Sequence, residues 1–234
     1  MATFAFIHGA GDVGWYWHLV ETELRARGHD TVAPDLPCDD DSAGLVEYAD
    51  IVLDALGDRG DVIVVAQSFG GFVAPLVCER AAVKLLILLA PMIPAPGEAP
   101  ADYWTHTRYH DEPREAFDDV FYHDIPPDLA AAARARGRTQ SEARMSEPSP
   151  LRAWPTTPTR VLLCRDDRLF PPPYLRRVAH DRLHLTPDEI DGGHTPALSH
   201  PTDLADRLET YATEYGLHHH IPALPAETRC DTSD

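Results

Sequence analysis

The chain of 234 residues contains no asparagine, and Lys84 is its only lysine. Without asparagine there is no acceptor for N-glycosylation. With one lysine, set in an apolar run, a mechanism built on a lysine nucleophile or Schiff base has a single, poorly placed candidate. Positive charge is scarce altogether: 20 lysine and arginine residues face 38 aspartate and glutamate residues, for a formal net charge of -18. A surface so acidic repels nucleic-acid phosphates and anionic membranes, so neither is an expected partner. No apolar stretch approaches the roughly 20 residues that a membrane span needs. Cysteine is sparse as well. Cys38, Cys78, Cys164 and Cys230 fall at no metal-ligand or redox spacing, and no metal or cofactor is expected. Cys78 and Cys164 sit in apolar runs and read as small core residues. Free thiols, behind a start that runs straight into a strand without a basic leader, point to the cytoplasm.

What is present is one domain's worth of alternating pattern. Phe4 to Ile7 reads as a buried strand, and Trp15 to Arg27 as an amphipathic helix closed by Gly28. Thr31 to Ala33 is a second strand, and Leu45 to Leu56 a helix. Val62 to Ala66 is a continuous β-branched run, as expected of a central parallel strand covered on both faces. Phe72 to Arg80 is helical, and Leu85 to Leu89 is another central strand. From Pro91 to Pro158 the alternation breaks into a proline-rich, acidic and aromatic stretch, with a helix near Leu129 to Arg136. Regularity resumes with a strand at Arg160 to Cys164, a helix at Pro173 to His180, a last strand within Leu183 to Ile190 and a closing helix at Thr202 to Tyr211. The alternation predicts an α/β fold with a mostly parallel central sheet and helices on both faces. The core is expected over residues 1–93 and 159–215. Residues 94–158 form an inserted, mainly helical cap, and 216–234 a tail of low order.

The strongest chemical signal is Ala66-Gln67-Ser68-Phe69-Gly70-Gly71, between a strand and a helix. A serine on such a turn is pushed into an exposed, strained position, and small residues two before and two after it let strand and helix approach. Gly70 meets the second need; Ala66 meets the first with one methyl more than glycine. His8-Gly9-Ala10-Gly11 follows the first strand and can turn a backbone N–H toward a substrate carbonyl. Ala10 and Phe69 are therefore the expected oxyanion donors, with His8 as a brace for the loop. An acid to orient a histidine is expected in Cys164-Arg-Asp-Asp-Arg-Leu-Phe170, where Asp167 is favoured and Asp166 stays open. The base is His194, in the glycine loop Asp191-Gly-Gly-His-Thr-Pro196; His200 reads as a helix-start residue. The candidate catalytic set is thus Ser68, Asp167 and His194.

These segments resemble the α/β-hydrolase superfamily over about residues 2 to 213, and their order (Ser68, Asp167, His194) is the one that superfamily uses. Ile7-His-Gly-Ala-Gly-Asp-Val-Gly-Trp-Tyr-Trp17 and Leu24-Arg-Ala-Arg-Gly-His-Asp-Thr-Val-Ala-Pro-Asp-Leu-Pro37 are similar to the methylesterase and hydroxynitrile-lyase branch. The resemblance implies an α/β-hydrolase fold, the same triad and the same two oxyanion donors. The lyases carry a lysine directly after the catalytic histidine; here that position is Thr195, so an esterase is implied rather than a lyase. Cys38 stands where many relatives have glycine, and Asp39-Asp-Asp41 after it reads as an acidic surface loop. Asp35 is expected to brace the loops around the site.

The expected function is a serine carboxylesterase acting on a small-molecule ester, with a homodimer left open. The triad equally suits carbon–carbon bond hydrolysis, cofactor-free perhydrolysis, or a ligand-binding protein that retains it. Tyr103, Trp104, Tyr109, Phe117, Phe121 and Tyr122 give the cap aromatic walls, most of them expected to pack it onto the core. His106, His110 and His123 match no strong metal-ligand pattern, and His218-His-His220 is assigned no function.

Overall fold

The structure is a computed structural model that describes residues 1–109 and 120–217. Five of the six strands expected from the sequence recur with shifts of one or two residues, and a six-stranded sheet of order β2-β1-β3-β4-β5-β6 organises them. The strands are β1 (Thr3–Ile7), β2 (Asp30–Val32), β3 (Val62–Gln67), β4 (Val83–Leu89), β5 (Thr159–Cys164) and β6 (Asp188–Ile190). Every neighbouring pair runs parallel, so each connection must cross over one sheet face.

Alternation along the strands sends side chains to two cores. Ile7, Val64, Ala66, Leu86, Leu88 and Leu163 face one side, where they meet α2 (Leu45–Leu56), α3 (Gly70–Cys78) and α6 (Pro172–Leu183). Phe4, Phe6, Val65, Ile87 and Leu162 face the other, against α1 (His18–Ala26), α7 (Pro196–Ser199) and α8 (Pro201–Glu214). This two-sided burial is why β3 and β4 read as unbroken apolar runs rather than alternating ones.

Local chemistry fixes the helix ends. Gly28 takes φ +85° just past α1, a conformation that costs glycine little. At α2 the Glu47 carboxylate accepts the Gly44 N–H at 2.8 Å, covering a backbone donor the helix leaves unpaired. Gly14–Trp17 forms a 3-10 turn ahead of α1, so the expected single helix from Trp15 is divided. Between β4 and β5 lie α4 (Tyr103–His106) and α5 (Pro127–Arg136), the latter starting two residues before the expected Leu129. Among the described residues no helix is long and apolar enough to cross a membrane.

Candidate active site

β3 delivers Gln67 and Ser68 to the carboxyl edge of the sheet, and α3 begins two residues later. Ser68 has φ +52°, a left-handed conformation that a side chain rarely adopts. The turn is held from three sides: Ser68 N–H donates to Leu89 O at 3.1 Å, and Ser68 O accepts from Gly71 N–H at 3.0 Å and Met92 N–H at 2.9 Å. The glycines after it answer to space. A Cβ on Gly71 would lie 1.9 Å from Met92 O, and one on Gly70 2.9 Å from Ile7 O. Helix α3 therefore starts on two poor helix formers, at Gly70 and not at Phe72 as propensity alone expects.

His194 follows β6 and a short glycine loop. Its Nδ1 donates to Asp167 Oδ2 at 2.9 Å, and both side chains are almost fully buried. Asp167 sits in the turn after β5, where its Oδ1 accepts the N–H groups of Leu169 and Phe170, each at 2.8 Å. Those bonds fix the carboxylate independently of the histidine. Asp166 points elsewhere: it is exposed, and its Oδ2 accepts the Gly192 N–H at 3.4 Å. His200 precedes α8, with Nδ1 2.9 Å from Ser199 Oγ. His194 Nε2 is buried and has no hydrogen-bond partner among the described residues. Phe121 and Phe170 pack edge-on against its ring.

Ser68 and His194 line one cavity of about 640 Å3 together with Ala10 and Phe69. No acceptor among the described residues takes the N–H of Ala10 or of Phe69. Phe69 also stands at the start of α3, where the helix dipole favours negative charge. Gly9 is pressed against Gln67 and Ser68, since a Cβ there would lie 2.5 Å from Gln67 Oε1 and 3.2 Å from Ser68 Cβ. His8 is a brace: its Nδ1 donates to Gly9 O at 2.8 Å and its Nε2 accepts the Leu36 N–H at 2.9 Å. Burial pushes its pKa down to about 4, which keeps the ring neutral in that double role. Asp35 braces too, accepting the Gly14 N–H at 2.7 Å and pairing with Arg138 at 3.0 Å.

Several residues that contact this set have no role expected from the sequence. Gln67 Nε2 donates to His194 O at 3.0 Å, tying His194 to the end of β3. Asp124 Oδ2 accepts the Gly193 N–H at 2.6 Å. Arg138 N–H donates to Gly11 O at 2.7 Å, and Gly11 N–H donates to Gln140 Oε1 at 3.3 Å, so residues 138–140 are laced to the loop after β1. Gln67 sits inside the serine motif and could have been found by its position. Asp124 and Gln140 have no local signal, because their partners lie 69 and 129 residues away.

The aromatic residues divide by role. Tyr103 and Tyr109 are buried against Phe72, Phe170 and Tyr174, whereas Trp104, Phe121 and Tyr122 line the cavity. His106 pairs with Glu98 at 2.8 Å. His123 lies beside Gly193, its Nε2 2.6 Å from where a Cβ would stand. Phe117, His110, Cys230 and His218 to His220 lie outside the described residues. Cys38, Cys78 and Cys164 are free and buried. Among the described residues no group of three or more histidine, cysteine or acidic side chains is placed to hold a metal ion. Asp39 pairs with Arg138 and Asp40 caps Ser42, as suits an acidic loop at the surface.

A parallel sheet with a left-handed serine turn at its carboxyl edge, a buried histidine–aspartate pair and a shared cavity define a class. Residues 4–207 match the alpha/beta hydrolase family, and the chain belongs to it. It is similar to putative methylesterase 19 of Arabidopsis thaliana, 30% identical over 132 residues, which are 51% of this chain and 50% of that one. A carbendazim hydrolyzing esterase of Nocardioides is 32% identical over 110 residues, 42% of this chain and 46% of the relative. The aligned part of the chain thus spans about half the length of these curated relatives. Among solved structures, polyneuridine aldehyde esterase superposes with a TM-score of 0.77 at 16% identity, covering 91% of this chain and 99% of that one. A methylesterase from Arabidopsis gives 0.73 at 20% identity, covering 92% and 100%. At such identities these two likenesses speak for the fold.

Proposed function

We propose that the chain is a serine carboxylesterase that hydrolyses small esters through an acyl-enzyme. One observation carries the reading: Ser68, strained on its turn, opens into the same cavity as a histidine whose far nitrogen is fixed by a buried aspartate. The relatives named as esterases and methylesterases support it.

In this mechanism His194 Nε2 takes the Ser68 hydroxyl proton while Oγ attacks the ester carbonyl carbon. The carbonyl π electrons move onto oxygen, which the N–H groups of Ala10 and Phe69 receive. Asp167 holds the Nδ1–H tautomer and stabilises the imidazolium without taking the proton. Collapse of the tetrahedral intermediate breaks the bond to the alkoxy oxygen, and His194 gives that oxygen its proton. Water then attacks the acyl-enzyme by the same sequence and releases the acid. Thr195, where the lyases carry lysine, turns its hydroxyl away to donate to Phe121 O at 2.6 Å. That placement argues for an esterase rather than cyanohydrin cleavage.

The test is hydrolysis of p-nitrophenyl acetate and butyrate, with fluorophosphonate labelling, by wild type beside Ser68→Ala. Turnover and labelling that both disappear in the variant support the reading. Well-folded wild type that does neither overturns it.

A further inference from the structure

The cavity wall contains a carboxylate that the triad does not use. Asp12 lies on the oxyanion loop, its N–H donating to Gly9 O at 3.4 Å. Gly9 in turn touches Ser68, so Asp12 stands one backbone turn from the nucleophile. Asp12 is partly buried and lines the same cavity as Ser68 and His194. Its Oδ1 accepts the Val13 N–H at 2.8 Å, and no cation among the described residues pairs with it. The lining arginines are engaged elsewhere: Arg138 with Asp35 and Asp39, and Arg134 over the Tyr122 ring at 4.7 Å. Asp35 is the charge that most influences Asp12, and it is repulsive. Burial is the largest effect and, with that repulsion, outweighs the Val13 N–H bond and raises the carboxyl to about 6.

An ionised, partly desolvated carboxylate without a counter-charge is costly, and a ligand group can supply what the protein withholds. We propose that Asp12 is a specificity-determining residue that receives a positively charged nitrogen of the substrate, making the preferred substrates small cationic esters. The proposal rests on the esterase reading for its chemistry but on Asp12 alone for its selectivity.

Two further features agree with a cation rather than a neutral hydrogen-bond donor. Trp104, Phe121 and Tyr122 also line the cavity, and aromatic faces attract cations electrostatically. Tyr122 already shows this behaviour by accepting the Arg134 guanidinium on its face. At longer range, the net charge of -18 raises the local concentration of cations and lowers that of anions.

The experiment uses isosteric pairs that differ only in charge. Acetylthiocholine and 3,3-dimethylbutyl thioacetate are compared as substrates by thiol release at pH 7.5. Choline and 3,3-dimethylbutanol are compared as ligands by calorimetry, which does not depend on turnover. Wild type is expected to favour the cationic member of each pair by about tenfold, the size of a desolvated ion contact. In Asp12→Asn, which keeps the acceptor for Val13 N–H, both preferences should fall to about twofold or less. Equal use and equal binding of the two members by wild type overturn the proposal, even if p-nitrophenyl acetate is hydrolysed well. A preference that survives unchanged in Asp12→Asn overturns it as well. Cation-selective binding that needs Asp12, with neither thioester turned over, upholds the subsite while the esterase reading fails.

Discussion

The Gly193 N–H donates to Asp124 Oδ2 at 2.6 Å, which ties the residue before His194 to the segment between β4 and β5. A hydrogen bond to a charged acceptor contributes on the order of 1.5–3 kcal/mol. Asp124→Ala is therefore expected to lower kcat about tenfold or more through a displaced His194, with KM changed less than threefold. Asp124→Asn, which keeps an acceptor oxygen, should recover most of the loss. Steady-state kinetics on p-nitrophenyl acetate check both, and a loss seen only in KM would contradict the assignment.

Asp166 and Asp167 are neighbours in sequence with opposite surroundings. Asp167→Asn leaves the Leu169 and Phe170 contacts in place but presents the wrong partner to Nδ1, so kcat should fall by about 10^4. Asp166→Asn touches only a long bond to Gly192 and should stay within threefold of wild type. Equal losses in the two variants would remove Asp167 from the triad.

Ser68 stores backbone strain at φ +52°. Holding a non-glycine residue there costs about 1–2 kcal/mol. Ser68→Gly should be inactive yet more stable than Ser68→Ala by about 1 kcal/mol, because glycine alone relaxes in that conformation. Paired denaturant melts of the two inactive variants measure the difference.

The raised Asp12 carboxyl has a thermodynamic counterpart. Its pKa stands at about 6 in the folded chain against an ordinary value of 3.8, so the folded state holds the proton more tightly than the unfolded one. Stability from this group therefore falls as pH rises from about 4 to 6 and stays reduced above. Asp12→Asn should be more stable than wild type at pH 8 by about 1–2 kcal/mol, after allowance for partial solvent access. The two should coincide near pH 4. Thermal melts across that range give the comparison, and a gap that widens toward low pH would carry the wrong sign.

How far the sequence reached depended on the range of the interactions involved. β1, β3, β4 and β5 announced themselves because both faces are buried, which leaves an apolar run that needs no partner to be recognised. Ser68 was legible for a similar reason: the serine, the strand that carries it and the glycines behind it occupy one short stretch. β6 was placed only loosely, because it contributes three residues and one of them alone is buried. Asp12, Asp124 and Gln140 were not legible at all. Each is an ordinary polar residue in its own segment, and stands out only when the closed chain sets Asp12 in the wall of Ser68's cavity and brings Gly193 to Asp124 and Gly11 to Gln140.

Gly11 offers both its N–H and its carbonyl to residues 138–140, and Gln140 Nε2 continues the lacing to Tyr48 at 3.0 Å. The segment between β4 and β5 is therefore not an accessory that could be trimmed away or exchanged while the loop after β1 stays intact. Shortening it strips two partners from the Gly11 peptide in that loop. A transplanted segment would have to bring its own glutamine and its own donating backbone before its cavity walls mattered.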